Sequence, residues 1–248
     1  MSPNNVAVVS LSIGRRPWFK YVLKWMRIYA DRHQYDLKII DKPLAQINID
    51  NFDSYRNYGC FNKLYIGTLL DDYERIIYFD DTCMISPLLE PLVKLVPDEY
   101  LGCWVEGVMG DKDYTTYLQE HKRIYSLDEP MPREMFFNSG VMVLSRAHKA
   151  LFKNISIDRR MLKDSKFNDQ GYLSLRAFEE SLPLMDIGKW RDFVGSKLRR
   201  ALKDSKFNYG LIKVAHLTGV LSSKERVALA VAFDDYFEQL SRLNNIKM

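Results

Sequence analysis

The chain is short of several things that would define common classes of protein. It has only three cysteines in 248 residues, Cys60, Cys83 and Cys103, an odd number at no metal-ligand spacing. A chain of this length has no need of covalent staples, so the cysteines are expected to be reduced, in a cytoplasmic setting. No run of about 18 apolar residues occurs, which excludes a spanning helix, and Met-Ser-Pro-Asn-Asn at the start lacks the charged and apolar regions of a secretory signal. Basic residues outnumber acidic ones by only 36 to 32 and are scattered, apart from a cluster between Lys197 and Lys203. That distribution argues against a nucleic-acid partner and suits a small anionic ligand.

What the chain does have is apolar content, 47% hydrophobic and 13% aromatic, enough for one well-packed globular domain. The most informative stretch runs from Arg75 to Ile85. Ile76 to Phe79 is a continuous apolar run of the kind found in a strand buried on both faces, and it ends abruptly in two acids, Asp80 and Asp81. In open α/β sheets ligands bind beyond the carboxyl ends of the strands, so such acids are placed to hold a hard cation and, through it, a phosphate. The same dipeptide also fits a simple turn with one solvated acid.

Val6 to Leu11 reads as the first strand, followed by Ser12-Ile13-Gly14-Arg15-Arg16 and a helix opened by Pro17. Trp18, Tyr21, Val22, Trp25, Met26 and Tyr29 recur at three- and four-residue steps and form a core-facing stripe. Asp36 to Asp41 is the next strand, so the chain opens with a parallel βαβ unit. The Gly14-Arg15-Arg16 loop, beside a helix start, is a candidate phosphate site, or simply a solvated basic pair.

Farther on, a short helix from Cys60 to Leu70 carries Lys63, and another helical segment is expected around Leu92 to Val96. Leu101 to Val105 and Phe136 to Leu144 read as strands. Glu106 to Arg133 shows no clean periodicity and is expected to be an irregular functional cover or acceptor-binding loop, in which Tyr114, Tyr117 and Tyr125 either offer ring faces for stacking or do nothing specific. Lys149 to Leu162 has helical tendency, and Asn168-Asp169-Gln170-Gly171 opens a helix in which Asp169 suits either a cap or a reactive group. A last short strand spans Leu211 to Ala215. Ser222 and Glu225 form a capping box for a final helix, with Val227, Ala228 and Val231 on its apolar face. The hexapeptide Lys-Asp-Ser-Lys-Phe-Asn occurs at Lys163 and again at Lys203, but its flanks differ and it marks no repeat.

Taken together, Asn62-Lys63-Leu64, Tyr78-Phe79-Asp80-Asp81-Thr82, Phe137-Asn138-Ser139-Gly140-Val141, Asp169-Gln170-Gly171 and His216 with Gly219 resemble, in order and spacing, the motifs of glycosyltransferase family 8, the glycogenin-like enzymes of the GT-A fold. The resemblance runs from about Val6 to Gly219. It implies an α/β fold with a Rossmann-like, mostly parallel central sheet flanked by helices in one domain. A nucleotide-binding half would cover about 1–100, a donor-sugar and acceptor half about 101–220, and a C-terminal helix about 223–243.

The resemblance further implies a hexosyl- or pentosyltransferase that moves a sugar from a nucleotide diphosphate, a UDP-sugar above all, to a glycan or other hydroxyl acceptor, with Mn2+ or Mg2+ and retention of configuration. Asp80, Thr82 and His216 stand at the metal positions. Lys63, Asp80, Asp81, Asn138, Ser139, Gly219, Leu11, Ser12 and Arg15 stand at donor-binding positions, and Asp169 and Gln170 lie nearest the reacting carbon. Two departures stand out: the second acid of the Asp-x-Asp motif is Thr82, with Asp81 as a substitute only if the backbone turns there, and the lysine expected after Gly219 is missing. A non-catalytic binding protein of the same fold is the alternative. A sugar-1-phosphate nucleotidyltransferase ranks last, because Ser12 to Pro17 contains one glycine only.

Overall fold

The computed structural model describes residues 5–14, 16–44, 60–106, 112–153, 168–188, 193–194, 212–217 and 222–246. Strand β1 (Val6–Leu11), helix α1 (Phe19–His33) and strand β2 (Asp36–Ile40) form the expected opening unit. Phe19 is the first helical residue; Pro17 sits in the turn before it and does not occupy the first helical position. A 3-10 helix (Lys63–Asp71) leads into β3 (Arg75–Phe79). Then come β4 (Cys83–Ile85), one helical turn at Leu92–Leu95, β5 (Leu101–Val105), α2 (Lys112–Tyr125) and β6 (Phe137–Ser145). A further 3-10 helix (Arg146–Phe152) is followed by α3 (Asn168–Glu179), β7 (Leu184–Asp186), β8 (Phe193–Val194), β9 (Val214–His216) and α4 (Ser223–Leu243).

Six strands make one sheet in the order β2-β1-β3-β6-β5-β7. Only β6 runs against the rest, pairing antiparallel with both β3 and β5, so the sheet is mostly parallel, as anticipated. This topology decides where chemistry collects. The carboxyl ends of β1, β3 and β5 and the amino end of β6 all emerge on the same edge. A shift in register between Cys103 and Trp104 bends the β5–β6 ladder close to that edge, as bulges near sites commonly do.

The apolar run in β3 is buried on both faces for a concrete reason. Ile77 and Phe79 enter a core with Trp25, Met26 and Tyr29 of α1 and Phe233 and Phe237 of α4, while Ile76 and Tyr78 enter a second core with Leu64, Ile66 and Leu173. The α1 stripe is therefore core, and α4 is locked to it: Trp25 Nε1 donates to Asp234 Oδ1 at 2.8 Å, and Lys24 pairs with Asp234 and Glu238. The Ser222–Glu225 capping box is present. The buried face of α4 is Leu229, Ala230, Phe233 and Phe237, whereas Val227 and Val231 are half-buried and Ala228 is exposed. The aromatic side chains outweigh the smaller aliphatic ones in choosing the helix face.

Further expectations need correcting. A second sheet, β4-β9-β8, was not foreseen, because its described strands are too short to show a periodicity. Glu106 to Arg133 is not an irregular cover throughout, since α2 occupies Lys112–Tyr125. Tyr117 and Tyr125 are buried, against Phe136 at 5.0 Å and Tyr172 at 6.5 Å between ring centroids, and offer no face to a sugar; the Tyr114 side chain lies outside the described residues. The final strand is Val214–His216 rather than 211–215, and Leu211 is also outside the described residues. So are 154–167, which hold most of the expected 149–162 helix, and the second copy of the hexapeptide.

Helix α2 also carries His121, fully buried, its Nε2 3.2 Å from the carbonyl oxygen of Gly171. Burial pushes its pKa down to about 4. A histidine that is harder to protonate folded than unfolded makes the unfolded chain the better proton acceptor, so stability is complete above pH ~6.5 and falls as the pH drops towards 4. The expected loss from this group is on the order of 3 kcal/mol, and the stability difference between wild type and His121→Gln in denaturant unfolding should shift by that amount across the window. A pH-independent difference would show that His121 does not titrate in this way.

Candidate active site

Several elements of the fold deliver side chains to the common edge of the sheet. Leu11 ends β1, and Ser12, whose N–H donates to the carbonyl of Ile40 at 2.9 Å, follows it; both are buried. Gly14 in the same loop has a φ of 88°, a left-handed conformation that glycine adopts without strain. Arg15 lies outside the described residues.

At the end of β3 the backbone turns at once: Asp80 N–H donates to the Gly140 carbonyl at 2.8 Å, and Cys83 N–H closes back on the Asp80 carbonyl at 2.9 Å. The turn demanded for Asp81 to substitute is therefore present. The Asp81 carboxylate, however, accepts from Arg16 Nε at 3.1 Å, while its main-chain oxygen accepts from Trp18 Nε1 at 2.9 Å. Thr82 contributes its main-chain oxygen to Leu217 N–H at 2.8 Å, which ties this turn to the end of β9.

Lys63 is the hub. Only 4% exposed, its ammonium lies 2.9 Å from Asp80 Oδ1, 2.9 Å from Asp169 Oδ2 and 3.1 Å from Ser139 Oγ. Ser139 in turn donates to Asp169 at 2.8 Å, and Tyr78 donates its hydroxyl to Asp80 at 2.8 Å. Burial alone would discharge Lys63, but Asp169 and Asp80 more than offset it and hold the pKa well above the ordinary lysine value. Burial would likewise push the Asp80 carboxyl up, yet Lys63 and His216 keep it well below the usual carboxylate range. Asp81 behaves oppositely: burial and the neighbouring charge of Asp80 push it up to about 6 against the pull of Arg16. The site thus keeps a full negative charge on Asp80 and a full positive charge on Lys63 at neutral pH.

His216 closes the other side, with Nε2 3.2 Å from Asp80 Oδ2. Its place depends on a glycine: a Cβ on Gly140 would overlap the His216 ring. The Phe-Asn-Ser-Gly sequence at the start of β6 follows from this, with Asn138 and Ser139 supplying polar groups and Gly140 making room. Among the described residues no group of three or more His, Cys, Asp or Glu side chains stands ready to hold a metal. Asp80 and His216 do form a suitable pair, because two donors in neighbouring positions of an ion with bonds of about 2.1 Å stand about 3 Å apart.

Of the residues singled out in the sequence, Lys63, Asp80, Asn138, Ser139, Asp169, Gln170 and His216 converge; Leu11 and Ser12 end the neighbouring strand; Arg15 and Gly219 fall outside the described residues. Sequence reasoning missed Glu106, and it offered Arg16 as part of a candidate phosphate loop, where the structure pairs it with Asp81. Glu106 follows β5 as Asp80 follows β3, and it accepts hydrogen bonds from Asn138 Nδ2 and Gln170 Nε2, both at 3.1 Å. The signal was available: an acid just beyond an apolar run.

The mostly parallel sheet and its crowded edge define a GT-A-type glycosyltransferase fold. Similar folds occur in a glycosyltransferase involved in glycosylation of the major capsid of PBCV-1 (TM-score 0.54, 13% identity, 94% of this chain and 98% of that one) and in the galactosyltransferase LgtC, solved with donor and acceptor sugar analogues (TM-score 0.55, 12% identity, 94% and 95%). The bifunctional glycosyltransferase WbbM is similar over 96% of this chain and 52% of its own (TM-score 0.52, 10% identity). No curated protein sequence matches. The model of glycosyl transferase family 8 matches residues 18–162, and the chain belongs to that family: it is a glycosyltransferase.

Gly140→Ala tests the packing of this site. The overlap with the His216 ring should lower unfolding free energy by about 2 kcal/mol, and adding His216→Ala should recover much of that loss. Equal losses in the single and double variants, measured by thermal unfolding, would mean that the ring does not set the requirement for glycine.

Proposed function

We propose that this enzyme transfers a sugar from a UDP-sugar to a hydroxyl of a glycan or glycoconjugate, with retention of configuration and with Mn2+ or Mg2+ at the Asp80–His216 pair. The observation that carries the reading is the buried Asp80–Lys63–Asp169 arrangement at the carboxyl edge of the sheet, with His216 against the free side of Asp80. The residues up to about 100 form the nucleotide-binding half, and those beyond supply the sugar and acceptor side. Two further facts favour a cytoplasmic enzyme: none of the three cysteines is in a disulfide, and among the described residues no helix is long and apolar enough to cross a membrane.

The chain's own residues do most of the work in this scheme. Asp80 and His216 would hold the ion, which when bound would neutralise charge developing on the leaving diphosphate. Lys63 brings a fixed cation to the same place, and in a dry cleft such groups stabilise the departing charge by several kcal/mol. As the bond from the anomeric carbon to phosphate breaks, its electron pair leaves with the diphosphate and the sugar becomes cation-like. Asp169, fixed by Lys63 and Ser139, lies where a carboxylate favours that charge and orients the acceptor hydroxyl, whose oxygen bonds to carbon on the same face while its proton passes to the departing phosphate. Leu11, Ser12, Arg15 and Gly219 complete the nucleotide side, and Asn138, Ser139 and Gln170 the sugar side.

UDP release from a panel of UDP-sugars with Mn2+ present checks the reading. At least one donor should turn over, and kcat/KM should fall by about 100-fold or more in Asp80→Ala and in Lys63→Met. Undiminished release in both variants, or none from wild type with any donor, would contradict it.

A further inference from the structure

Beside the charged cluster stands a closed ring of three polar side chains. Asn138 Nδ2 donates one proton to Glu106 Oε1 at 3.1 Å and the other to Gln170 Oε1 at 3.0 Å, while Gln170 Nε2 donates to Glu106 Oε2 at 3.1 Å. Asn138 cannot turn over, because its Oδ1 accepts the backbone N–H of Gly140 at 2.9 Å. Glu106, Asn138 and Gln170 are all buried. A carboxylate only accepts, so Gln170 must offer its amino group to Glu106 and its carbonyl oxygen to Asn138.

We propose that Glu106 is a positioning residue that fixes the amide orientation of Gln170, so that one carbonyl lone pair and one N–H of Gln170 remain for the donor sugar in a single, predetermined arrangement. The inference deepens the transfer reading and rests on it for the consequence in turnover. The ring itself follows from donor and acceptor counting. With Asn138 held as a double donor, position 106 has to accept from both neighbours. A glutamine there has one donor and one acceptor end, and whichever way it or Gln170 turns, one contact faces donor to donor. Exchanging the two residues restores the match: the amide now at position 106 would accept from Asn138 and donate to the carboxylate now at position 170, which also accepts from Asn138.

The experiment is a thermal double-mutant cycle of Glu106→Gln, Gln170→Glu and the double exchange, combined with kinetics of UDP release from UDP-glucose and UDP-galactose with water as acceptor. The double exchange should have a Tm about 4 °C higher than the sum of the two single shifts allows. Glu106→Gln should lower kcat on the order of 100-fold with donor KM changed by less than about threefold, and Glu106→Asp, which keeps both acceptors, should recover to within about tenfold of wild type. Additive Tm shifts, or an unchanged kcat in Glu106→Gln, overturns the inference. A wild type that releases UDP from neither donor counts against the transfer reading alone, and the thermal cycle, which uses no turnover, then decides the ring by itself.

Discussion

The buried ammonium of Lys63 is the constraint on which the site depends. A cation removed from water survives only if anions accompany it, and the chain supplies two, Asp80 from the end of β3 and Asp169 from the first turn of α3. The three groups bind together the 3-10 helix that carries Lys63, the central strand, and the helix that covers the same face of the sheet. Such a cluster is a weak source of net stability, since desolvation consumes most of the attraction. In the proposed transfer its value lies in holding charges of both signs, already stripped of water, where a diphosphate and a cation-like sugar would need them.

The hydrogen-bonded ring of Glu106, Asn138 and Gln170 adjoins this cluster through the backbone of β6, where Asn138 and Ser139 are consecutive and, near the bulged β5–β6 ladder, reach different partners. One network stabilises charge; the other orients an amide. Both depend on β6 running antiparallel between β3 and β5, which brings the start of that strand to the edge where its neighbours end. Gly140, the next residue, opens the space that His216 fills.

Much of this was legible in the sequence. The buried run before Asp80 announced a central strand because both of its faces meet core, and the βαβ opening followed from two β-rich runs around a helical stripe. Lys63, Asn138, Asp169 and His216 were readable only as motifs in a shared order, since no local pattern says that residues 63, 80, 169 and 216 meet. The reverse holds for what was missed. Helix α2 buries Tyr117, Leu118, His121, Ile124 and Tyr125, an apolar face disguised by the polar residues and the histidine within it. Asp81 was a substitute second acid on condition that the backbone turns there; the turn is present, and the loop after β1, which no local pattern ties to it, places Arg16 against its carboxylate. Hydrogen-bond rings such as that of Glu106 leave no periodicity, because they are made by residues from three elements.

The most direct test of the account is calorimetric titration of UDP, with and without Mn2+, into wild type and into Asp80→Ala. The account predicts binding to wild type that strengthens markedly with Mn2+ and a loss of that metal dependence in the variant. UDP binding of equal strength in both proteins, indifferent to the ion, would contradict it and move the donor away from the edge where Asp80, Lys63 and His216 meet.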